Sequence, residues 1–212
     1  MKYKLMEEVD GLGPWIWPIA DTGAWDGPVD DWKTSHKIVM ERIRDRRVII
    51  QAGGNLGLYP ALLSQLFKVV YTVEPHKGNF DCLMRNVSHI DNVIPLHAAV
   101  GAERKKVGTS QAVAQNVGMT YIDEAGSDVD MWMIDELHQW DDQIDVIWLD
   151  IEGYELNALK GATETIKKSL PVIGVERPST EVEALLDSLG YLRFGDSKMD
   201  VFFYHPEGNQ II

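Results

Sequence analysis

The sequence predicts an α/β domain with a mostly parallel sheet and helices on both faces. Three observations predict this fold: short continuous apolar strands, helices that alternate with them, and a glycine-rich loop after the first strong strand. Strands buried on both faces appear as uninterrupted apolar runs, which is the pattern of parallel sheets. A chain of 212 residues, 45% of them hydrophobic, is long enough to bury such a core.

Seven apolar runs are predicted strands, and they span residues 48–50, 69–73, 93–100, 146–149, 172–175, 191–194 and 201–204. Helices are predicted where apolar residues recur at helical spacing, at residues 35–44, 56–67, 76–87, 156–168 and 181–189. A short polar loop separates the last two strands, which favours a hairpin. We therefore expect the last strand to be antiparallel to its neighbours.

Two segments depart from this alternation. Residues 1–33 are rich in Gly, Pro, Asp and Trp, and their turn dipeptides predict irregular structure. Because this segment holds four tryptophans, Trp15, Trp17, Trp25 and Trp32, we expect it to pack as a cap over a main domain of residues 34–212. Residues 101–142 form a connection longer than a crossover helix needs, and we expect an irregular excursion with a β segment.

The composition disfavours several kinds of function. The formal net charge is −13, from 33 acidic and 20 basic residues, and an acidic surface repels nucleic acid. A single cysteine, Cys82, allows neither an internal disulfide nor a cysteine metal cluster and suits a reducing compartment. No apolar run approaches the ~18 residues of a membrane span. We expect a cytoplasmic protein with no nucleic-acid or membrane partner.

The glycine-rich loop carries the first functional signal. Gly53, Gly54 and Gly57 lie between a predicted buried strand and a helix. Glycine lets backbone amides approach a ligand without a Cβ in the way. Glu74 ends the next strand, where an acid can accept hydrogen bonds from both hydroxyls of a ribose. The two features together predict a ligand that contains a nucleoside.

The spacing of the glycines distinguishes between nucleoside ligands. Dinucleotide sites favour Gly-x-Gly-x-x-Gly, whereas this loop has Gly-Gly-x-x-Gly with Asn55 and Tyr59 crowding it. No Gly-Lys-Ser/Thr follows, so the loop is not a Walker loop. S-adenosylmethionine contains ribose and adenine but no phosphate, and it fits better. An NAD-type nucleotide-binding oxidoreductase is the alternative.

Three carboxylates form the second signal, where the strand at 146–149 gives way to a helix. Asp150 ends the strand, so its side chain can point into the cleft, and Glu152 follows in the turn. Glu155 fits an acid in the first turn of a helix, where the helix dipole favours negative charge. Asp150 and Glu152 are therefore the better candidates for contact with substrate or cofactor.

These motifs resemble the FkbM family of methyltransferases. The matching strings are QAGGNLG at 51–57, VEP at 73–75, NVG at 116–118, IDEL at 134–137, LDIEGYE at 149–155, LKG at 159–161, VE at 175–176 and DVFF at 200–203. The resemblance covers residues 35–205, and the string at 149–155 is its most specific part. It implies a Rossmann-like class I methyltransferase fold with seven strands, S-adenosylmethionine as donor, and O-methylation of a hydroxyl, often on a sugar or secondary metabolite.

The chain departs from the family pattern inside the glycine-rich loop. The family usually has aspartate at the position of Gln51 and alanine at the position of Gly54. Glutamine keeps a polar side chain that can hydrogen-bond, but it removes a charge near the sulfonium. A catalytically inactive homologue that still binds S-adenosylmethionine is therefore a second alternative.

The expected site combines these residues. The residues expected to contact the cofactor are Gln51, Gly53, Gly54, Asn55, Gly57, Tyr59, Glu74, Pro75, His76 and Asp150. Methyl transfer needs aligned reactants and help in removing the hydroxyl proton. The candidates for this work are Asp150, Glu152, Glu176 and His36. We expect a small-molecule or glycan acceptor and, since no ligand spacing demands one, no metal.

Overall fold

The computed structural model describes residues 2–22, 25–111, 116–139, 142–209 and 211. Its strands are β1 (Tyr3–Met6), β2 (Trp15–Pro18), β3 (Val48–Ala52), β4 (Val69–Val73), β5 (Val93–Leu96), β6 (Ala99–Val100), β7 (Lys105–Gln111), β8 (Thr120–Asp123), β9 (Val129–Trp132), β10 (Ile144–Leu149), β11 (Val172–Glu176), β12 (Leu192–Asp196) and β13 (Asp200–Tyr204). Its helices are α1 (Asp26–Asp31), α2 (Lys37–Glu41), α3 (Leu58–Ser64), α4 (Lys77–Val87), α5 (Glu155–Lys160), α6 (Thr163–Ser169) and α7 (Thr180–Ser188).

A seven-stranded sheet forms the centre of the molecule. The strand order is β12-β13-β11-β10-β3-β4-β5. Neighbouring strands from β11 to β5 are parallel, whereas β13 is antiparallel to both β11 and β12. The prediction of a mostly parallel seven-stranded sheet with an antiparallel last strand is confirmed.

Helices cover both faces of this sheet because successive strand residues point to opposite sides. Ile49 and Val146 pack into one hydrophobic cluster, which includes residues of α3 and α4. Their neighbours Ile50 and Ile147 pack into a second cluster, which includes residues of α5, α6 and α7. The continuous apolar runs in the sequence thus reflect burial on both faces.

Two sequence predictions are wrong in detail. The run at 93–100 is two strands, because only β5 stays in the central sheet and β6 pairs with β9 instead. The helix predicted at 156–168 is divided at Gly161 into α5 and α6. A Cβ at Gly161 would collide with the carbonyl oxygen of Gly101, so the glycine permits a close crossing at this point.

The long connection at 101–142 is more ordered than predicted. It supplies β7, β8 and β9, which join β6 in a second sheet of order β6-β9-β7-β8. Residues 112–115 and 140–141 of this connection lie outside the described residues.

The N-terminal segment is a structured part of the same core. It forms an antiparallel β1–β2 hairpin and the helix α1, where irregular structure was predicted. All four of its tryptophans are buried in the cluster that contains Ile49 and Val146. The helix predicted at 35–44 is α2, preceded by a π-helical turn at Trp32–His36. Met1, Gly23 and Ala24 of the predicted cap lie outside the described residues.

Within the described ranges, no helix is both long and apolar enough to cross a membrane.

Candidate functional site

A cavity of about 340 Å³ lies at the carboxyl ends of β3, β4, β10 and β11. Ligands of open α/β sheets bind at this edge. The sequence-predicted site residues that line the cavity are His36, Gly53, Gly54, Asn55, Tyr59, Glu74, Pro75, Asp150, Glu152 and Glu176. The N-terminal segment contributes further lining residues, among them Trp17 and Asp31.

The glycine-rich loop passes unusually close to neighbouring backbone. The amides of Gly53 and Gly54 donate hydrogen bonds to the carbonyl of Val73, at 3.0 and 2.9 Å. Gly53 has a φ of +92°, and a Cβ there would collide with the carbonyl oxygen of Asp150. Glycine at this position therefore allows the ends of β3 and β10 to come together beside the cavity.

Glu74 stands at the centre of the predicted nucleoside site. Its two carboxylate oxygens accept hydrogen bonds from the backbone amides of Asn55 and His76, both at 2.8 Å. Burial raises the pKa of Glu74 to about 8, although these hydrogen bonds act in the opposite direction. Each oxygen retains a lone pair for a further donor, so the geometry allows a ligand hydroxyl to bind here.

Two amide oxygens beside Glu74 lack partners. Asn55 Oδ1 and Asn79 Oδ1 are buried and accept no hydrogen bond from any described residue. Both residues line the cavity, and Asn79 is held in place by a hydrogen bond from its side-chain nitrogen to the carbonyl of Val117. An unpaired buried acceptor costs free energy, which a ligand that brings hydrogen-bond donors can recover.

A group of three carboxylates lies at the other side of the cavity. Asp150, Glu152 and Glu176 each place a carboxylate oxygen within 4.8 Å of the others. Burial and then the negative charge of Glu176 raise the pKa of Asp150 well above its ordinary value. The same two causes raise the pKa of Glu152, opposed by the positive charge of Arg177. Oxygen ligands in this arrangement suit a divalent cation as well as hydroxyl donors.

Backbone strain also concentrates at this site. Asn55, Glu152 and Arg177 have φ values of +45°, +51° and +40°, a region that non-glycine residues rarely occupy. All three line the cavity. Strained residues of this kind are held by the surrounding structure and cluster at ligand sites.

Asp200 is a further residue of the site, and its place there was not predicted from the sequence. The Asp200 carboxylate lies 2.6 Å from His36 Nε2 and accepts a hydrogen bond from Trp148 Nε1 at 2.8 Å. Asp200 begins β13 beside Glu176, at the same sheet edge as the cavity. One sequence feature could have identified Asp200: it is the acid of the DVFF string, which begins the predicted antiparallel strand at this edge of the sheet.

Three expected cofactor contacts have other positions. Gln51 is fully buried and does not line the cavity, because its side-chain amide donates to the carbonyl of Gly53 and accepts from Thr72. His76 caps the start of α4 through Nδ1. Gly57 packs the start of α3 against Val87. Gln51, Gly57 and His76 thus shape the backbone around the cavity, and their contact with the cofactor stays a prediction.

Glu155 also has a structural position. It is 7% exposed, and its carboxylate accepts hydrogen bonds from the amides of Ile151 and Gly153 at 3.2 and 3.1 Å. The side chain thereby stabilises the turn that carries Glu152. This position agrees with the expectation that Glu155 serves the start of its helix.

The fold is that of a class I methyltransferase, and comparisons with known proteins identify the family. The family described as Methyltransferase FkbM domain matches residues 52–194. This match covers more than half of the chain, and the chain belongs to this family. A comparison with curated proteins gives no match.

Solved structures share the fold at low sequence identity. The methyltransferase FkbM from Methylobacillus flagellatus KT is 20% identical with a TM-score of 0.54, covering 75% of this chain and 44% of its own. Trm5b from Pyrococcus abyssi is 12% identical with a TM-score of 0.56, covering 95% of this chain and 55% of its own. The chain thus spans about half the length of these two proteins.

S-adenosylmethionine is the cofactor that family membership assigns to the chain. The residues present fit it, since its ribose hydroxyls and amino groups are donors and Glu74, Asn55 and Asn79 offer acceptors. When bound, its sulfonium makes the methyl carbon electrophilic. The NAD-type alternative has no support from the family.

Proposed function

We propose that the protein transfers a methyl group from S-adenosylmethionine to a hydroxyl oxygen of an uncharged small molecule, such as a sugar. The observation that carries this proposal is the excess of hydrogen-bond acceptors around the cavity. The acidic residues among its described lining are Asp31, Glu74, Asp150, Glu152, Glu176 and Asp200. An acceptor molecule that fits such a lining brings hydroxyl donors of its own.

The charge of the cavity disfavours an anionic acceptor. Arg177 is the one arginine or lysine among the described residues that line it, and its guanidinium lies 3.6 Å from the Glu176 carboxylate. A phosphate or carboxylate group would therefore meet an acidic lining that repels it, without a free cation to bind it. The same reasoning supports a small-molecule acceptor over nucleic acid, whose backbone is anionic.

Aromatic side chains supply the apolar part of the proposed acceptor site. Trp17 and Tyr59 line the cavity, and Tyr59 lies with its ring 4.9 Å from that of Trp148. The ring of an aromatic residue offers a flat apolar surface, while its polar edge can hydrogen-bond. A sugar ring, with apolar C–H faces and a rim of hydroxyls, matches this combination.

The two sides of the cavity have different proposed tasks. The loop of Gly53 and Gly54 with Glu74 holds the nucleoside part of the cofactor. Asp150 lies between this loop and Glu176, so we place the methyl group near Asp150 and the acceptor beside Glu152 and Glu176. The protein then lowers the barrier by aligning the acceptor oxygen with the methyl carbon and excluding water.

The test is methyl transfer from methyl-labelled S-adenosylmethionine to matched acceptors. Neutral sugars, the corresponding sugar phosphates and amino sugars are compared, each with and without a chelator of divalent cations. We expect transfer to hydroxyls of neutral sugars and none to the phosphates. Transfer to the amine alone, or to phosphates in preference, contradicts the proposal.

Ligand binding is measured separately by thermal stabilisation. We expect the melting temperature to rise with S-adenosylmethionine and S-adenosylhomocysteine, and to stay constant with NAD. Stabilisation without transfer to any hydroxyl in a broad panel favours the inactive homologue. Loss of transfer in the chelator arm assigns a divalent cation to the carboxylates of Asp150, Glu152 and Glu176.

A further inference from the structure

We propose that His36 is the general base that removes the acceptor hydroxyl proton and that Asp200 is its positioning residue. This inference rests on the proposed function and names the proton acceptor within that site. The two residues are 164 positions apart: His36 lies in the N-terminal half of the chain and Asp200 begins β13.

The contact between the two side chains is short and buried. His36 Nε2 and Asp200 Oδ2 are 2.6 Å apart, and the side chains are 2% and 5% exposed. Trp148 Nε1 donates to Asp200 Oδ1 at 2.8 Å, and the Ser197 hydroxyl donates to Oδ2 at 2.9 Å. Three donors thus fix the orientation of the carboxylate.

This arrangement determines which nitrogen of His36 carries the proton. Burial alone would raise the pKa of Asp200, but the hydrogen bond from His36, the positive charge that His36 carries when protonated, and hydrogen bonds from Trp148 and Ser197 outweigh burial and leave it below its ordinary value. The carboxylate is therefore ionised and accepts only, so Nε2 must hold the proton that it donates. The lone pair of neutral imidazole is then on Nδ1.

His36 Nδ1 is the atom left for chemistry. It is buried and has no hydrogen-bond partner among the described residues, and His36 is one of the residues that line the cavity. The imidazole packs against two aromatic rings, 4.8 Å from the ring of Trp148 and 5.3 Å from that of Tyr59. It also ends a π-helical turn at Trp32–His36, a rare structure found often at functional sites.

The other candidate bases are less suited to this task. The carboxylate oxygens of Asp150 and Glu176 lie within 4.8 Å of each other, and burial together with the charge of Glu176 raises the pKa of Asp150, so this side chain tends to hold a proton already. An imidazole backed by an ionised carboxylate, in contrast, gains an ion pair when it accepts a proton. The structure therefore assigns the proton to His36 and leaves Asp150 and Glu176 to bind and orient the acceptor.

The proposed step balances in atoms and charge. The acceptor oxygen forms a bond to the methyl carbon while the carbon–sulfur bond breaks. The electron pair of the broken bond stays on sulfur. The hydroxyl proton passes to His36 Nδ1. The imidazolium that results is neutralised by the Asp200 carboxylate, and the proton leaves to solvent after the methylated product departs.

The decisive variant is Asp200→Asn, which preserves the shape of the side chain. Because Trp148 donates to one oxygen of Asp200, the asparagine amide is expected to turn its oxygen toward Trp148 and its nitrogen toward His36. The amide nitrogen donates, so Nε2 must accept and the proton moves to Nδ1. We expect kcat to fall by about 10²–10⁴-fold, with cofactor affinity and the acceptor KM changed by less than about threefold.

The tautomer is read directly by long-range ¹H–¹⁵N spectra of histidine, which need no acceptor. Wild-type protein is expected to show His36 protonated at Nε2, and the Asp200→Asn variant at Nδ1. His36→Gln tests the base itself and should lose transfer while retaining S-adenosylmethionine binding. His205→Gln, which lies beyond the other end of β13, is the matched control and should retain wild-type kcat.

The outcomes separate this inference from the proposed function. Transfer at wild-type kcat by Asp200→Asn or His36→Gln overturns the base assignment and leaves hydroxyl methylation standing. A wild-type His36 protonated at Nδ1 also overturns it, whatever the acceptor. Failure of wild-type protein to methylate any hydroxyl contradicts the proposed function instead.

Discussion

Asp150 directly follows β10 and Glu176 ends the adjacent parallel strand β11, and a carboxylate oxygen of each lies within 4.8 Å of the other at the edge of the cavity. Two carboxylates at this distance cannot both ionise without a cost, because each negative charge destabilises the other. Burial adds to this cost, and the pKa of Asp150 is raised well above its ordinary value as a result. The pair therefore links the stability of the protein to pH.

We expect Asp150→Asn to stabilise the protein more at pH 8 than at pH 5. The folded state holds the Asp150 proton over a pH range in which the unfolded state has lost it, so wild-type stability falls as pH rises above about 4. Asparagine removes this contribution. Urea unfolding at several pH values measures the difference, with exposed Asp91→Asn as the control. A difference that shrinks with rising pH contradicts the expectation.

Gly53→Ala is expected to destabilise the protein by more than a positive φ alone explains. A Cβ at Gly53 collides with the carbonyl of Asp150, whereas Gly153, with a φ of +95°, has open space around the same position. Gly153→Ala is thus a control that isolates the cost of the backbone conformation, about 1–2 kcal/mol. We expect Gly53→Ala to exceed that cost by about 1–3 kcal/mol in chemical unfolding. Equal costs would show that β3 and β10 can separate freely.

Glu74→Gln is expected to weaken S-adenosylmethionine binding by about tenfold or more, because hydrogen bonds to a charged acceptor are the stronger ones. The raised pKa of Glu74, about 8, adds a pH dependence. Ligand donors favour the ionised carboxylate, so wild-type affinity should rise between pH 6.5 and 8.5. Calorimetry in two buffers also detects the released proton. The Glu74→Gln variant should show neither the rise in affinity with pH nor the released proton. The exposed control Glu164→Gln should behave like wild type.

Asp21→Ala tests how the N-terminal segment supports the cofactor site. Asp21 accepts hydrogen bonds from Trp17 Nε1 at 2.7 Å and from the amide of Val117 at 3.2 Å. Val117 in turn holds the side chain of Asn79. We expect a loss of about 1–3 kcal/mol in stability and a weaker affinity for S-adenosylmethionine. Asp30→Ala, which removes an exposed ion pair with Lys198, should change neither.

The central sheet and the main parts of the site could be predicted from the sequence because both follow from local patterns. Apolar runs gave six of the seven strand positions, and acids or glycines directly after those runs gave Glu74, Asp150, Glu176 and the loop at Gly53. The strand at 93–100 failed because β5 and β6 are separated by only two residues, His97 and Ala98, and both strands are apolar. Their division depends on pairing with β9, a contact that periodicity does not encode.

The roles of individual polar residues were harder to predict, since they depend on neighbours distant in sequence. Gln51 occupies the position of a family aspartate, yet Thr72 on the adjacent strand binds its side chain inside the core. The same Thr72 hydroxyl would lie 2.6 Å from a Cβ at Gly54. The two departures from the family pattern are therefore one packing arrangement, visible only when β3 and β4 are side by side.

The pairing of His36 with Asp200 has a consequence for synthesis of the protein. Because translation runs from the N-terminus, the cap and the glycine-rich loop leave the ribosome before β13, and with it before the Asp200 carboxylate that contacts His36. The chain can bury its tryptophans and close part of its sheet during translation. The proposed base and its positioning residue, however, come together only when β13 pairs with β11, so the proposed proton transfer depends on this antiparallel pairing at the far side of the sheet.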